Sequence, residues 1–133
     1  MSYNKPLPKI DALNQGFWQN CQAGKLSVQH CKACGDMRYP PSPVCPRCLL
    51  ADQDWRVVSG NGMLESWVDF HRAYWDGFAG DLPYRVCLVR LAEGPVMVSN
   101  LVGPSDNAAI GAAVGVVFDA VTPEVTLPKF KMV

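Results

Sequence analysis

Cys31-Lys32-Ala33-Cys34 and Cys45-Pro46-Arg47-Cys48, separated by residues 35–44, decide how this chain is read. Two Cys-x-x-Cys pairs supply four thiolates, the ligand set of a closed tetrahedral zinc site. A two-residue spacer lets each pair grip one metal from a tight backbone knuckle. Gly35 after the first pair gives the turn such a knuckle needs, whereas Leu49 follows the second. The gap between the pairs is shorter than in longer zinc modules, so the expected ribbon is compact. Four thiolates leave no open coordination position, which points to a structural Zn2+ and away from metal catalysis. Iron, as in a rubredoxin-like electron carrier, is the alternative occupant, because four thiolates also suit iron. Two disulfides are the other reading of the same cysteines. The chain opens on the polar MSYNKPLPK, without a signal-peptide pattern, so the expectation is a cytoplasmic protein with reduced, metal-binding thiols.

Outward from this module, the chain of 133 residues is 49% hydrophobic, enough for a real core, and has no apolar run of membrane-spanning length. Its formal net charge is zero. A generic nucleic-acid binder is expected to carry a basic surplus, so the balance argues against that class. The local surplus near the cysteines, Lys25, Lys32, Arg38 and Arg47 against Asp36, is offset by the formal charge of about minus two on a zinc with four thiolates.

Before the module, Ile10, Leu13, Phe17, Trp18 and Cys21 fall on one face of a helix, with Asp11 near its start and Gly24 as its stop. Such a short helix must dock its Phe17 and Trp18 face, on the rest of the chain or on another subunit. Within the module, Pro40, Pro41, Pro43 and Pro46 exclude helix. After it come strand patterns: WRVVS, then MLESWVDFH, YRVCLVRLA, PVMVSNLV, VGVVFDAV and VTLPKF. Grouped as five strand units with a long connection between the third and fourth, they fit a five-stranded OB-fold barrel. The expected organisation is a mainly β chain with an N-terminal helical arm over 1–25, a zinc ribbon over 26–52 and an OB-fold barrel over 53–133.

Tyr74, Trp75 and Phe78 lie in the loop between the first two barrel strands, one of those that surround an OB-fold's ligand face. These aromatics suit stacking on bases, covering an acyl chain or partner, or folding back to cap the barrel. His71 and Asp69 are two apart on a strand and form a possible general-base pair, but such pairs also arise on ordinary sheet faces. His30 adjoins Cys31, yet four cysteines already satisfy a metal. Cys87 and Cys21 read as buried thiols. With no phosphate loop, dinucleotide fingerprint or serine elbow in the sequence, the residues themselves read as a non-catalytic protein with no assigned catalytic residue.

The run FWQNCQAGKLSVQHCKACGDMRYPPSPVCPRC, with Phe17-Trp18 and Tyr39-Pro40-Pro41, resembles the amino-terminal half of the DUF35 family. Leu82-Pro83-Tyr84, VRLAEGPVMVSNLVG and the closing VTLPKF extend the resemblance over nearly the whole chain. It implies a rubredoxin-like zinc ribbon joined to an OB-fold, in an accessory protein that partners thiolase-like enzymes of acyl-CoA metabolism, including sterol-carrier-type thiolases and retro-aldol enzymes. The expected function is a non-catalytic subunit in a hetero-oligomer that helps a thiolase-fold enzyme hold a CoA thioester. Phe17, Trp18, Tyr74, Trp75 and Phe78 are the expected contacts to that partner or to acyl-CoA. The rival expectation is a single-stranded nucleic-acid-binding ribbon and barrel. Leu49 departs from the glycine often found after the second pair, and is expected to change the knuckle locally while leaving the metal in place.

Overall fold

The computed structural model describes residues 3–133. Its elements are α1 (Gln15–Gln22), β1 (Leu26–Cys31), β2 (Met37–Arg38), β3 (Gln53–Val58), β4 (Asn61–Phe70), a 3-10 turn (Asp76–Asp81), β5 (Tyr84–Leu91), β6 (Val96–Asn100), β7 (Ala113–Ala120) and β8 (Thr126–Met132). Among the described residues, no helix is long and apolar enough to cross a membrane.

Asp11 organises the approach to α1. Its carboxylate accepts from the backbone N–H groups of Leu13 and Asn14, and the Asn14 side chain accepts from the N–H of Asp11 in return. This reciprocal pairing holds a turn ahead of the helix in the manner of a capping box. At the other end Gly24 has φ of 74°, and Lys25 N–H donates to Asn20 O at 2.8 Å, the bond that closes a Schellman cap. Phe17 and Cys21 are the buried residues of α1, whereas Ile10 is exposed. The apolar face is thus narrower than the sequence spacing implied, because the helix begins at Gln15.

Two sheets follow. The first is three-stranded, in the order β2-β1-β3. WRVVS, which the sequence groups with the barrel, lies in this sheet: β3 pairs antiparallel with β1 from Leu26↔Val58 to Cys31↔Gln53. The physical reason is coverage. A cysteine ribbon with only the two-residue β2 beside β1 leaves β1 open on one edge, and β3 closes it. Alternation in the sequence shows that a strand exists but not which sheet it joins.

The second sheet has the order β6-β5-β4-β7-β8, antiparallel throughout. Its two ends meet: Leu101 bridges Phe130 in parallel, and Val102 N–H donates to Phe130 O at 2.8 Å. This closure gives the five-stranded barrel of an OB-fold. A bulge between Leu64 and Ser66 in β4 inserts one residue, so the inward parity switches from Leu64 to Trp67, which packs against the core.

One apolar core joins both sheets. Phe17, Cys21, Leu26, Val28 and Val58 from the helix and ribbon are continuous with Leu64, Val89, Leu91, Met97, Val114 and Phe130 of the barrel. Gln22 Nε2 adds a polar tie, donating to Pro123 O at 3.2 Å and Glu124 O at 2.8 Å in the β7–β8 turn. Helix α1 is therefore the piece that seats the ribbon on the barrel.

Candidate metal centre and barrel cavity

The four cysteines come from two backbone knuckles that repeat each other. In the first, Gly35 N–H donates to Cys31 O at 2.9 Å and Cys31 N–H to Asp36 O at 2.8 Å. In the second, Leu49 N–H donates to Cys45 O at 2.7 Å and Cys45 N–H to Leu50 O at 2.8 Å. Residue for residue, 31–36 is built like 45–50. The match extends to the backbone angle: Gly35 has φ of 80° and Leu49 has φ of 65°. Leu49 departs from glycine in chemistry but not in conformation, so the second knuckle keeps its shape and carries the strain of a left-handed side-chain residue.

The Sγ atoms of Cys31, Cys34, Cys45 and Cys48 all lie within 4.8 Å of one another. Cys31 and Cys48 approach at 3.5 Å, and Cys34 and Cys45 at 3.6 Å. A metal–sulfur distance of about 2.3 Å implies a tetrahedral sulfur–sulfur edge of about 3.8 Å, so the donor set fits one thiophilic ion. The same separations are far beyond a bonded pair of about 2.05 Å, which removes the disulfide reading. His30 stands outside the cluster, its Nδ1 2.8 Å from Asp54 Oδ1.

The knuckles also prepare the sulfurs for charge. Backbone N–H groups of Cys34 and Ala33 hold the Cys31 thiol below its ordinary range. Burial pushes Cys45 up, but N–H groups of Cys48 and Arg47 outweigh it and bring it down to about 6. The second cysteine of each pair behaves oppositely. One N–H, from Asp36, favours the Cys34 thiolate, and one, from Leu50, favours that of Cys48, but burial and neighbouring sulfurs raise both, Cys48 to about 12. Four thiolates so close repel each other, and a divalent cation at their centre removes that cost.

Polar residues that the sequence did not mark hold the proline loop between the knuckles. Gln29, 4% exposed, donates through Nε2 to Ser42 O and accepts from Ser42 N–H. Gln53 donates to Ser42 O and Pro43 O, and Arg38 donates to Gln53 Oε1 and Ser42 Oγ. Gln29 left no signal in the sequence: LSVQHC alternates apolar and polar at its start, which reads Gln29 as outward-facing, yet the residue is buried.

The expected contact aromatics separate into two kinds. Phe17 is 2% exposed and packs against Trp18, Tyr39 and Trp55 at centroid distances of 5.0, 5.4 and 6.2 Å. It is a core residue, because the helix needs that side chain to bind the ribbon; it offers no free contact face. Trp18 packs against the core while staying partly exposed. Tyr74 and Trp75 are 72% and 54% exposed, whereas Phe78 folds back to stack on Tyr84 at 4.8 Å.

Beside Phe78 and Tyr84, an open cavity of about 760 Å³ lies at one end of the barrel. Three cations line it, each paired: Lys5 with Asp81 at 2.8 Å, Arg85 with Asp69 at 2.6 Å, and Lys129 with Asp119 at 2.7 Å. Asp69, which the sequence offered as half of a general-base pair with His71 or as an ordinary sheet-face residue, is gripped by both arms of the Arg85 guanidinium, which holds its carboxyl below the usual range. His71 falls after the end of β4. Sequence reading missed Arg85 because its partner lies on the neighbouring strand, 16 residues away. The two remaining cysteines are isolated, with burial pushing Cys21 up to about 12 and Cys87 up to about 11.

A helix, a four-cysteine ribbon and a closed five-stranded barrel on one core define a rubredoxin-like ribbon/OB-fold protein. Residues 18–54 match the family described as the ChsH2 rubredoxin-like zinc ribbon domain, and residues 55–119 the family described as the ChsH2 C-terminal OB-fold domain. The chain belongs to the DUF35 family. It is 30% identical over 105 residues to a DUF35 domain-containing scaffold protein of Methanothermobacter thermautotrophicus, covering 77% of this chain and 78% of that protein. A probable enoyl-CoA hydratase alpha subunit of Thermomonospora curvata is 36% identical over 128 residues, 96% of this chain but 40% of that subunit's length. Among solved structures, a chain of the Ltp2-ChsH2(DUF35) aldolase superposes with a TM-score of 0.84 at 35% identity, covering 95% of this chain and 98% of that one.

Proposed function

We propose that this chain is an accessory subunit of an acyl-CoA enzyme, without a catalytic centre of its own. The observation that carries the reading is the likeness to the chain of the Ltp2-ChsH2(DUF35) aldolase over nearly the full length of both. The hydratase alpha subunit from Thermomonospora curvata points to the same class of CoA thioester chemistry. Within that class the partner is a thiolase-fold enzyme, of the sterol-carrier-type thiolase or aldolase kind, bound in a hetero-oligomer. Exposed Tyr74 and Trp75, with Phe78 on the same loop, and partly exposed Trp18 on α1 supply the contact to partner or acyl-CoA.

In this role Cys31, Cys34, Cys45 and Cys48 hold a structural Zn2+, whose contribution is to cross-link a segment with little core of its own. The reduced state of the thiols suits a cytoplasmic setting. The barrel then presents its loops and cavity while reacting groups come from the partner. Paired cations in the cavity leave no net positive stripe there, which disfavours the nucleic-acid reading.

The test is reconstitution. The zinc-loaded chain, its candidate partner enzyme and the mixture of the two are each assayed for acyl-CoA turnover, beside a titration of the chain alone with single-stranded oligonucleotide. Turnover or substrate affinity that rises on mixing supports the proposal. Salt-sensitive oligonucleotide binding with no effect on the enzyme overturns it.

A further inference from the structure

The loop 71–83 between β4 and β5 contains no buried residue, and its 3-10 turn has no core side chain to anchor it. Phe78 stacks on Tyr84 and Tyr74 lies edge-on to Phe70, and the loop's further ties run to the chain's N-terminal segment, 71 positions earlier in sequence at Trp75 and Asn4. Trp75 Nε1 donates to Asn4 O at 3.1 Å. Lys5 pairs with Asp81 at 2.8 Å and lies over the Phe78 ring at 5.5 Å. A Cβ added at Gly77 would meet Asn4 O at 2.2 Å, so the two backbones touch at a point that no side chain can share. Tyr3, Lys5 and Pro6 from this segment, and Phe78 and Asp81 from the loop, line the same side of the barrel-end cavity.

We infer that residues 3–6 form a strap that latches loop 74–81 along one side of the cavity, and that releasing the strap frees the loop and widens the cavity mouth. The latch is built to be reversible. Its ion pair is water-exposed, at 23% and 50% for the two side chains, so salt screens it. Its other ties are one hydrogen bond, one cation–ring contact and one close backbone approach. This inference concerns the chain alone and does not depend on the accessory-subunit reading.

Two single variants isolate the latch. Gly77→Ala inserts the methyl group that collides with Asn4 O, at a position whose backbone tolerates alanine; Lys5→Ala removes the ion pair from the surface. The readouts are amide hydrogen exchange across residues 71–83 in zinc-loaded protein, and the rate at which N-ethylmaleimide labels a Ser105→Cys probe in the cavity wall. Both variants are expected to speed exchange in 71–83 and labelling of residue 105 at least five-fold, with ribbon and β5 amides unchanged. Wild type in 1 M NaCl is expected to shift part of the way in the same direction. Exchange and labelling that stay within two-fold of wild type in both variants would overturn the inference. So would faster loop exchange without faster labelling, since the loop would then not wall the cavity.

Discussion

Glycine at position 49 should suit the second knuckle better than alanine does, although a shorter side chain ordinarily weakens a fold. Leu49 sits at φ 65°, matching Gly35 at φ 80° in the paired knuckle. Holding a residue with a Cβ in this region costs roughly 1–2 kcal/mol. Leu49 is 72% exposed, so its contacts are worth only about 0.5 kcal/mol, a fraction of a full leucine burial. Leu49→Ala removes those contacts but keeps the strain, and is expected to destabilise by about 0.5 kcal/mol. Leu49→Gly removes both; against the alanine variant it should gain about 1 kcal/mol after allowing for glycine's greater freedom in the unfolded chain. The reverse change, Gly35→Ala, should lose about 1 kcal/mol. There the added Cβ meets nothing within 4 Å, so only the backbone angle acts. For a chain of this size 1 kcal/mol corresponds to roughly 3–5 °C in Tm. The assay is thermal unfolding by circular dichroism at fixed free zinc, because metal binding contributes to the ribbon's apparent stability. Equal melting of Leu49→Gly and Leu49→Ala would refute the strain reasoning, and an unaffected Gly35→Ala would refute the equivalence of the knuckles.

Three other outcomes are expected. Cys48→Ser should lose the bound metal and unfold the ribbon, seen by elemental analysis and near-ultraviolet circular dichroism; stoichiometric zinc with unchanged melting would contradict the ligand set. Phe17→Ala should destabilise by about 4 kcal/mol in urea unfolding, because it empties the aromatic cluster between helix and ribbon, and a loss under about 1 kcal/mol would contradict its core role. For Asp69, the Arg85 hydrogen bonds depress the folded-state value below the ordinary 3.8, so its contribution to stability is fully present above that pH and is lost as pH falls through the folded value. Asp69→Asn should therefore flatten the stability curve below pH 3.8, and a slope unchanged from wild type would contradict the pairing.

Most of the fold was legible because its signals are local. Cys-x-x-Cys spacing, the helix face of Phe17 and Cys21, and the run of strands each depend on residues close in sequence. What stayed hidden depends on pairing across distance. Alternation showed that β3 is a strand, but only its register with β1 places it in the ribbon sheet. The bulge at Glu65 shifts the inward parity of β4, and that shift leaves no mark in the pattern MLESWVDFH. Asp69 read as a partner for His71 because the two are neighbours in sequence, while Arg85 wins by lying directly across the ladder. Phe17 and Trp18 read alike as one helix face that must dock somewhere, and only packing separates the buried ring from the partly exposed one. The N-terminal strap was invisible for the same reason: Asn4, Lys5 and Gly77 have no meaning until the chain folds back on itself.

The accessory-subunit account stands on the company this chain keeps. Tagged protein recovered from its own cells at low salt, with mass spectrometry of whatever stays bound, is the measurement to make. The account predicts a near-stoichiometric thiolase-fold subunit that is retained by wild type and depleted when Tyr74 and Trp75 are replaced by alanine. Recovery of the chain alone, or with nucleic acid in place of an acyl-CoA enzyme, would contradict it.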